Sequence, residues 1–329
     1  MTPSATKKLS IIIVSYNTRD VLHECLRHVE RYVEGIDSET FVVDNGSKDG
    51  SPEMVSKEFP WVKLIASSDN NGFAKGNNLA FEHASGEYVL LLNSDAYLKE
   101  GVLNSTLGFM EKHNKCGVLG IKMVGTDGDL QPSARMLPGA WKKFLVMSGI
   151  AARFPESPSL GGPDYTWWDH SSVKDVGWVV GAYFLIRREL VEQIGFLDER
   201  YFMYFEEIDF CLQAQRAGWR VVFFPEAEVI HLGGQSSGAT KKRMSSTGKQ
   251  LLNFRIESEF RYYRKNYGLA AVLASAGVEL FWRSLVWCKN SLGGDEKQDM
   301  RREEAAVIVR LIVDTLRRDG FGRGVLRHG

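Results

Sequence analysis

The N-terminal half of the chain alternates between two hydrophobic periods. "LSIIIVSY" (9–16) is a continuous apolar run of strand length, and "RDVLHECLRHVERYV" (19–33) places apolar residues at helical spacing. "TFVVDN" (40–45) predicts a second strand, followed by the turn-rich "GSKDGS" and a helix over "PEMVSKEF". "VKLIAS" (62–67) predicts a third strand, "AKGNNLAFEHAS" a helix, and "EYVLLLN" a fourth strand. Strands alternating with helices predict an α/β domain built on a mostly parallel central sheet with helices on both faces.

The middle of the chain breaks this rhythm. "CGVLGIKMVGTDGDLQPSARML" predicts a strand, a hairpin turn at Asp127-Gly128 and a returning strand. Residues 138–175, rich in Pro, Gly and aromatics, are expected to form a long loop over the sheet. "VGWVVGAYFLIRRELVEQIG" reads as a strand leading into a helix, "FEEIDFCLQAQRAG" as a helix, and "WRVVFFPEAEVIH" as a last strand ending at His231. Then comes a basic Gly/Ser-rich loop, and from Leu251 onward the pattern is helical. These changes divide the chain into an α/β domain over residues 1–240 and a basic loop with helices over 241–329.

Composition narrows the classes. With 41 basic and 41 acidic residues the chain is neutral, which gives no general reason to expect nucleic acid as a partner. Locally the balance shifts: between Lys241 and Lys265 there are eight basic residues and two acidic ones. Cys25, Cys116, Cys211 and Cys288 are far apart, which suits a reducing cytoplasm and argues against a zinc site or a disulfide framework. The first eight residues lack the apolar core of a secretory signal. "LAAVLASAGVELFWRSLVW" is the nearest approach to a membrane span, but Glu279 and Arg283 interrupt it. It reads as an amphipathic helix, and the expected location is cytoplasmic, with the inner face of the membrane within reach.

The polar residues that follow the strands are the candidate chemistry. A dinucleotide fold would show GxGxxG after the first strand, yet "SYNTRD" stands there without a glycine, and no Walker A pattern occurs. The strands end instead in Ser15-Tyr16-Asn17, Asp44-Asn45, Asn93-Ser94-Asp95 and His231. Ligands of open α/β sheets bind at the carboxyl ends of strands, so these groups would line one edge suited to a base, a diphosphate and a metal. Asp95, after the apolar Val89–Leu92, is a helix N-cap or a cation ligand.

The ordered set "IIIVSYNTRDVLHECL", "VVDNGSKDGS", "NNGFAKGNNLA", "YVLLLNSDAYL", "YFMYFEEIDFCLQAQRAGW" and "VIHLGGQS" resembles the inverting family-2 glycosyltransferases of GT-A fold. "DGDLQPSARMLP" and "VGAYFLIRRELVEQIGFLDE" resemble its bacterial rhamnosyltransferase-like branch, which builds cell-surface polysaccharides. The resemblance runs from residue 9 to about residue 240 and implies a nucleotide-diphosphate sugar donor, a divalent cation (Mg²⁺ or Mn²⁺) and a glycan or lipid-linked saccharide acceptor.

It also implies roles. Asp44 accepts the N3–H of a uracil or thymine, or else caps the turn that follows it. Tyr16 and Asn17 flank the base, and Ser15 and Asn45 join the nucleotide-sugar site. Gly72, Phe73, Lys75 and Asn77 lie along the nucleotide and diphosphate, or form a plain Asn/Gly loop. Asn93, Ser94 and Asp95 stand where many such enzymes carry Asp-x-Asp. Asp95 would be the main metal ligand, Asn93 a departure, and His231 a second ligand or a structural histidine. An inverting displacement needs one base, which maps to Glu207, with Glu206 second and Asp209 orienting the helix or binding acceptor. A Glu at position 207 replaces the more frequent Asp. The bland alternative is an acidic helix start favoured by the dipole. Lys241 and Lys242 close over the phosphates, or are merely solvated.

The C-terminal helices form a membrane-surface platform, or cap an apolar face, or make a homodimer. The expected donor is dTDP-L-rhamnose. A UDP-hexose or UDP-N-acetylhexosamine is the alternative, and a catalytically silent nucleotide-sugar binder a third.

Overall fold

The computed structural model describes residues 6–233, 246–291, 293 and 295–322. Lys241 and Lys242 lie outside the described residues. The chain runs β1 (Lys7–Ser15), α1 (Arg19–Tyr32), β2 (Ser38–Asp44), α2 (Ser51–Glu58), β3 (Lys63–Ala66), α3 (Gly72–Phe81) and β4 (Gly86–Leu92). There follow β5 (Ala96–Tyr97), α4 (Val102–Lys112), β6 (Cys116–Val124), β7 (Leu130–Gln131), β8 (Ala134–Arg135), α5 (Ala140–Met147) and α6 (Ile150–Arg153). Then come β9 (Lys174–Asp175), β10 (Trp178–Val179), β11 (Tyr183–Arg187), α7 (Arg188–Ile194), α8 (Glu206–Arg216) and β12 (Arg220–His231). Three long helices end the order: α9 (Ser246–Tyr267), α10 (Leu269–Ser291) and α11 (Glu296–Arg318).

The main sheet has the order β3-β2-β1-β4-β11-β6-β12-β5. β3, β2, β1 and β4 are parallel, as the alternating pattern predicts, whereas β11 is antiparallel to both β4 and β6, so the sheet is mixed. Alternate side chains explain the two covered faces. Ile11, Ile13, Leu90 and Leu92 pack with Leu22, Leu26, Met54, Leu103 and Met110 of α1, α2 and α4. Val14 points the other way, and α3 approaches it closely enough that a Cβ on Gly76 would sit 3.0 Å from its Cγ1. At the end of the sheet where β4 begins, the buried Arg187 and Arg188 donate to carbonyls, among them Met110 and Gly86, each at 2.5 Å.

Chain contacts divide into two compact units. The first takes in the chain up to Met136, His170–Phe202 and the stretch from Glu206 through β12. The second holds Leu137–Asp169, Met203–Phe205 and the helices α9, α10 and α11. Residues 138–175, expected as one long loop, therefore need correction: they contain α5, α6 and β9. "AWKKFLVM" is a helix of only eight residues, and the Gly and Pro around it masked its period.

Inside the second unit, Lys143 of α5 is the anchor. Its Nζ lies 2.7 Å from Glu259 of α9 and 2.5 Å from Glu279 of α10, both carboxylates being buried. Burial works against the Glu279 charge, but Lys143, Arg255 and Arg283 outweigh it and hold the carboxyl below the ordinary Glu range. Arg283 lies 3.7 Å from Glu279, so the two charges that interrupt the apolar run of α10 face each other within the protein.

Candidate active site

Sheet register gathers the polar strand ends at one edge. Ser15 pairs with Asp44, and Leu92 lies opposite Tyr183 at the start of the antiparallel β11. β6 and β12 run parallel to each other and end on the same side, at Val124 and His231. β12 then pairs with β5, His231 opposite Ala96, so the last strand is brought directly beside Asp95.

Asp44 is buried, and its two oxygens do different things. Oδ2 accepts from the backbone N–H of Gly46 at 3.1 Å and of Ser47 at 2.9 Å, which is the turn-capping role. Oδ1 is sealed from solvent and has no partner. A buried carboxylate oxygen left without a donor is costly, and a bound donor group would satisfy it. Asn17, at φ +52, accepts from the Lys48 N–H at 2.7 Å through its side chain, while its own N–H donates to Ser47 Oγ at 2.8 Å. It therefore holds the turn after Asp44 in place. Tyr16 is 46% exposed next to it. A buried hydroxyl chain links the strand ends: Ser15 Oγ lies 2.9 Å from Thr18 Oγ1, which donates to Ser94 Oγ at 3.2 Å.

Gly72, Phe73 and Asn77 sit on the loop and first turns of α3. Gly72 has φ +75, and a Cβ there would lie 2.1 Å from the Phe202 carbonyl oxygen, so only glycine fits. The Phe73 N–H donates to that same carbonyl at 2.8 Å. Asn45 and Asn77 each donate to backbone oxygens, of Gly72 at 3.0 Å and Phe73 at 2.8 Å, and each leaves a buried amide oxygen unpartnered. Lys75 is exposed. Asn93 donates its backbone N–H to Ala182 O at 3.1 Å.

At the end of β12, the His231 Nε2 lies 3.4 Å from Asp95 Oδ1, with both side chains largely covered. The opposite ring nitrogen, Nδ1, lies 2.9 Å from Gln131 Oε1, and Gln131 Nε2 donates to the His231 carbonyl at 3.0 Å. With the amide nitrogen committed to that carbonyl, its oxygen faces Nδ1 and can only accept. Nδ1 therefore carries a proton, and Nε2 is the ring nitrogen turned toward Asp95. No third His, Cys, Asp or Glu joins the pair among the described residues. A hard cation that keeps waters and takes substrate phosphate oxygens needs no more than this from the protein, so the donor set fits such an ion.

The acidic cluster begins α8. Tyr204 and Phe205 both have φ +70, and they turn the chain through the left-handed region into the helix. Glu206 and Asp209 are buried; Glu207 is partly covered, but its Oε2 is shut off from solvent without a partner, as is that of Glu206. Burial pushes the Glu207 carboxyl up to about 7. Glu206 is raised well above the ordinary Glu range, by burial and by the neighbouring Glu207. Asp209 accepts from Gln213 Nε2 at 3.3 Å, one turn along the helix. Both carboxyls are thus raised, and Glu207, at about 7, is suited to accept a proton near neutral pH.

The sequence profile of glycosyl transferase family 2 matches residues 10–210. The chain belongs to glycosyl transferase family 2. A profile described as glycosyl transferase family group 2 also matches, over residues 164–291. This glycosyltransferase is 29% identical over 254 residues to the N-acetylglucosaminyl-diphospho-decaprenol L-rhamnosyltransferase of Mycobacterium tuberculosis, covering 71% of this chain and 78% of the relative. It is 25% identical over 272 residues to rhamnosyltransferase WbbL of Escherichia coli, covering 77% of this chain and 96% of WbbL. Both place it in the rhamnosyltransferase-like branch. Among solved structures, the mannosyltransferase PcManGT of Pyrobaculum calidifontis, in complex with GDP-Man and Mn²⁺, superposes with a TM-score of 0.53 at 15% identity, over 95% of this chain and 89% of that one. That likeness bears on the fold alone, the GT-A fold.

In the glycosyltransferase, sequence reasoning missed Gln131. Its partner is 100 residues away in the chain, so no local pattern reveals it. The one available signal was the Asp127-Gly128 turn, which returns β7 against β6 with Gln131 opposite Met123. Thr18, at the centre of the buried hydroxyl chain, was missed for the same reason.

Proposed function

We propose that this glycosyltransferase moves a sugar from a pyrimidine nucleotide-diphosphate donor, dTDP-L-rhamnose, to a glycan or lipid-linked saccharide acceptor, with inversion at the anomeric carbon. The observation that carries the reading is the approach of Asp95 and His231 on the strand-end edge that also holds the unpartnered Asp44 Oδ1. Asp44 Oδ1 accepts the base N3–H, and Asn17 holds the turn that frames the base. Asp95 and His231 would hold Mg²⁺ or Mn²⁺, which would supply Lewis-acid stabilisation to the departing diphosphate. Glu207 takes the proton of the acceptor hydroxyl as the new glycosidic bond forms and the bond to the diphosphate breaks, its electrons leaving with the phosphate oxygen.

The names of the two rhamnosyltransferase relatives support the donor sugar, and the decaprenol diphosphate in one of them supports a lipid-linked acceptor. A second donor, UDP-hexose or UDP-N-acetylhexosamine, fits the same oxygen equally, because N3–H is common to uracil and thymine and Asp44 reads both. A thermal-shift panel of dTDP, UDP and GDP with and without Mn²⁺ tests the reading. Mn²⁺-dependent stabilisation by dTDP or UDP, and little by GDP, is expected. Equal stabilisation by all three, or none with metal, would count against it.

The tautomer assignment gives a further expected result. Gln131→Leu removes the acceptor that fixes the Nδ1 proton, and should weaken Mn²⁺ binding in the presence of dTDP by about tenfold. Metal titration followed by calorimetry measures this. An unchanged constant would mean that Gln131 only packs.

A further inference from the structure

α10 is an unusual helix for the surface of a protein. Between Leu269 and Cys288 ten of its residues are exposed and none is charged. Leu269, Leu273, Phe281, Leu285 and Trp287 are among them, Phe281 at 58% exposure. They fall on one side of the helix, while Val272, Ser275, Ala276 and Glu279 are buried on the other. The helix packs against α11, α5 and α9, and α5 itself carries Trp141, 60% exposed. Contiguous apolar surface of this kind marks an interaction site.

By length and composition α10 could cross a bilayer. Its packing argues against that, because crossing would strip Glu279 from Lys143 and expose a carboxylate to hydrocarbon. The exposed face remains available. Basic residues stand at both ends of it: Arg264 and Lys265 end α9 just before it begins, and Lys289 follows Trp287, ahead of the acids Asp295, Glu296 and Asp299 that open α11. The only acid on α10 is the buried Glu279. Beyond His231 the chain carries 18 Lys and Arg against 10 Asp and Glu, although the whole is neutral. An apolar face with an aromatic rim and cationic ends suits the interface of an anionic membrane, apolar side chains entering between headgroups and cations meeting phosphates.

We infer that the exposed face of α10 docks this protein on an anionic lipid bilayer, lying along the surface rather than through it. The inference rests on the second unit alone and stands apart from the donor and the base, though such docking would hold the enzyme where lipid-linked acceptors lie.

Cys288 provides the probe, since it is exposed on this face and the other three cysteines are buried. The full chain labelled there with a polarity-sensitive fluorophore is titrated with vesicles of phosphatidylcholine and phosphatidylglycerol in equal parts, and with phosphatidylcholine alone. A blue shift and flotation with the anionic vesicles are expected, weaker by at least about tenfold on the neutral ones. Leu273→Glu combined with Phe281→Glu, both exposed positions, should weaken anionic-vesicle binding by at least about tenfold while leaving dTDP binding and thermal melting unchanged. Three results would overturn the inference: no shift on either vesicle, equal flotation of the double variant, or a wild-type dimer in sedimentation that the double variant converts to monomer without vesicle binding by either.

Discussion

Glu207→Gln is expected to lower kcat by about 10²–10⁴-fold while leaving dTDP affinity nearly unchanged. Gln keeps the shape of the side chain and removes its capacity to take a proton. A single-turnover assay alongside nucleotide titration separates the two quantities, and normal turnover would place the base elsewhere. The wild-type pH profile carries the same information. Burial sets the Glu207 carboxyl at about 7, so kcat should rise with pH and level off above that value. The sign for stability is opposite. A carboxyl whose folded value is raised binds its proton more tightly in the folded state, so its contribution is complete below the ordinary Glu range and is lost as pH rises through about 7. Glu207→Gln has no such loss. At pH of about 8 it should be the more stable protein, by on the order of 2 kcal/mol, and the difference should vanish in mild acid. Urea denaturation at both pH values measures this.

Asp95→Ala is expected to reduce Mn²⁺-dependent dTDP binding by about 10²-fold and transfer by at least as much. The variant leaves His231 Nε2 facing a gap, with Gln131 still holding the other side of the ring. One imidazole is a poor host for a hard cation compared with an imidazole and a carboxylate. The effect should therefore exceed that of Gln131→Leu, which keeps both ligand atoms and loosens one. Metal titrations in the presence of dTDP rank the two variants. A ranking in the reverse order, or an unchanged constant for Asp95→Ala, would remove the ion from this pair.

Local periodicity made the first half of the fold legible. The apolar runs of β1, β2 and β4 and the helical spacing of α1 need only their own residues to be read. The Asp127-Gly128 hairpin was legible because turn chemistry is also local. The antiparallel insertion of β11 was not, since "YFLIR" looks the same whichever way its neighbours run. Nor was α5, whose eight residues are tied into the second unit by the ion pairs of Lys143 with α9 and α10. In the candidate site, the residues with polar groups at strand ends announced themselves by being expensive to bury. Gln131 and Thr18 did not, because their importance comes from what they touch across long stretches of chain.

The bond from the Phe73 N–H to the Phe202 carbonyl has a mechanical implication. Phe73 follows the glycine that opens the helix along the proposed diphosphate, and Phe202 lies four residues ahead of the acid pair. With no room for even a methyl group between these segments, neither can shift without dragging the other. A substitution that moves the start of this helix is therefore expected to be felt at the proposed base as well, so the two halves of the proposed site would have to change together.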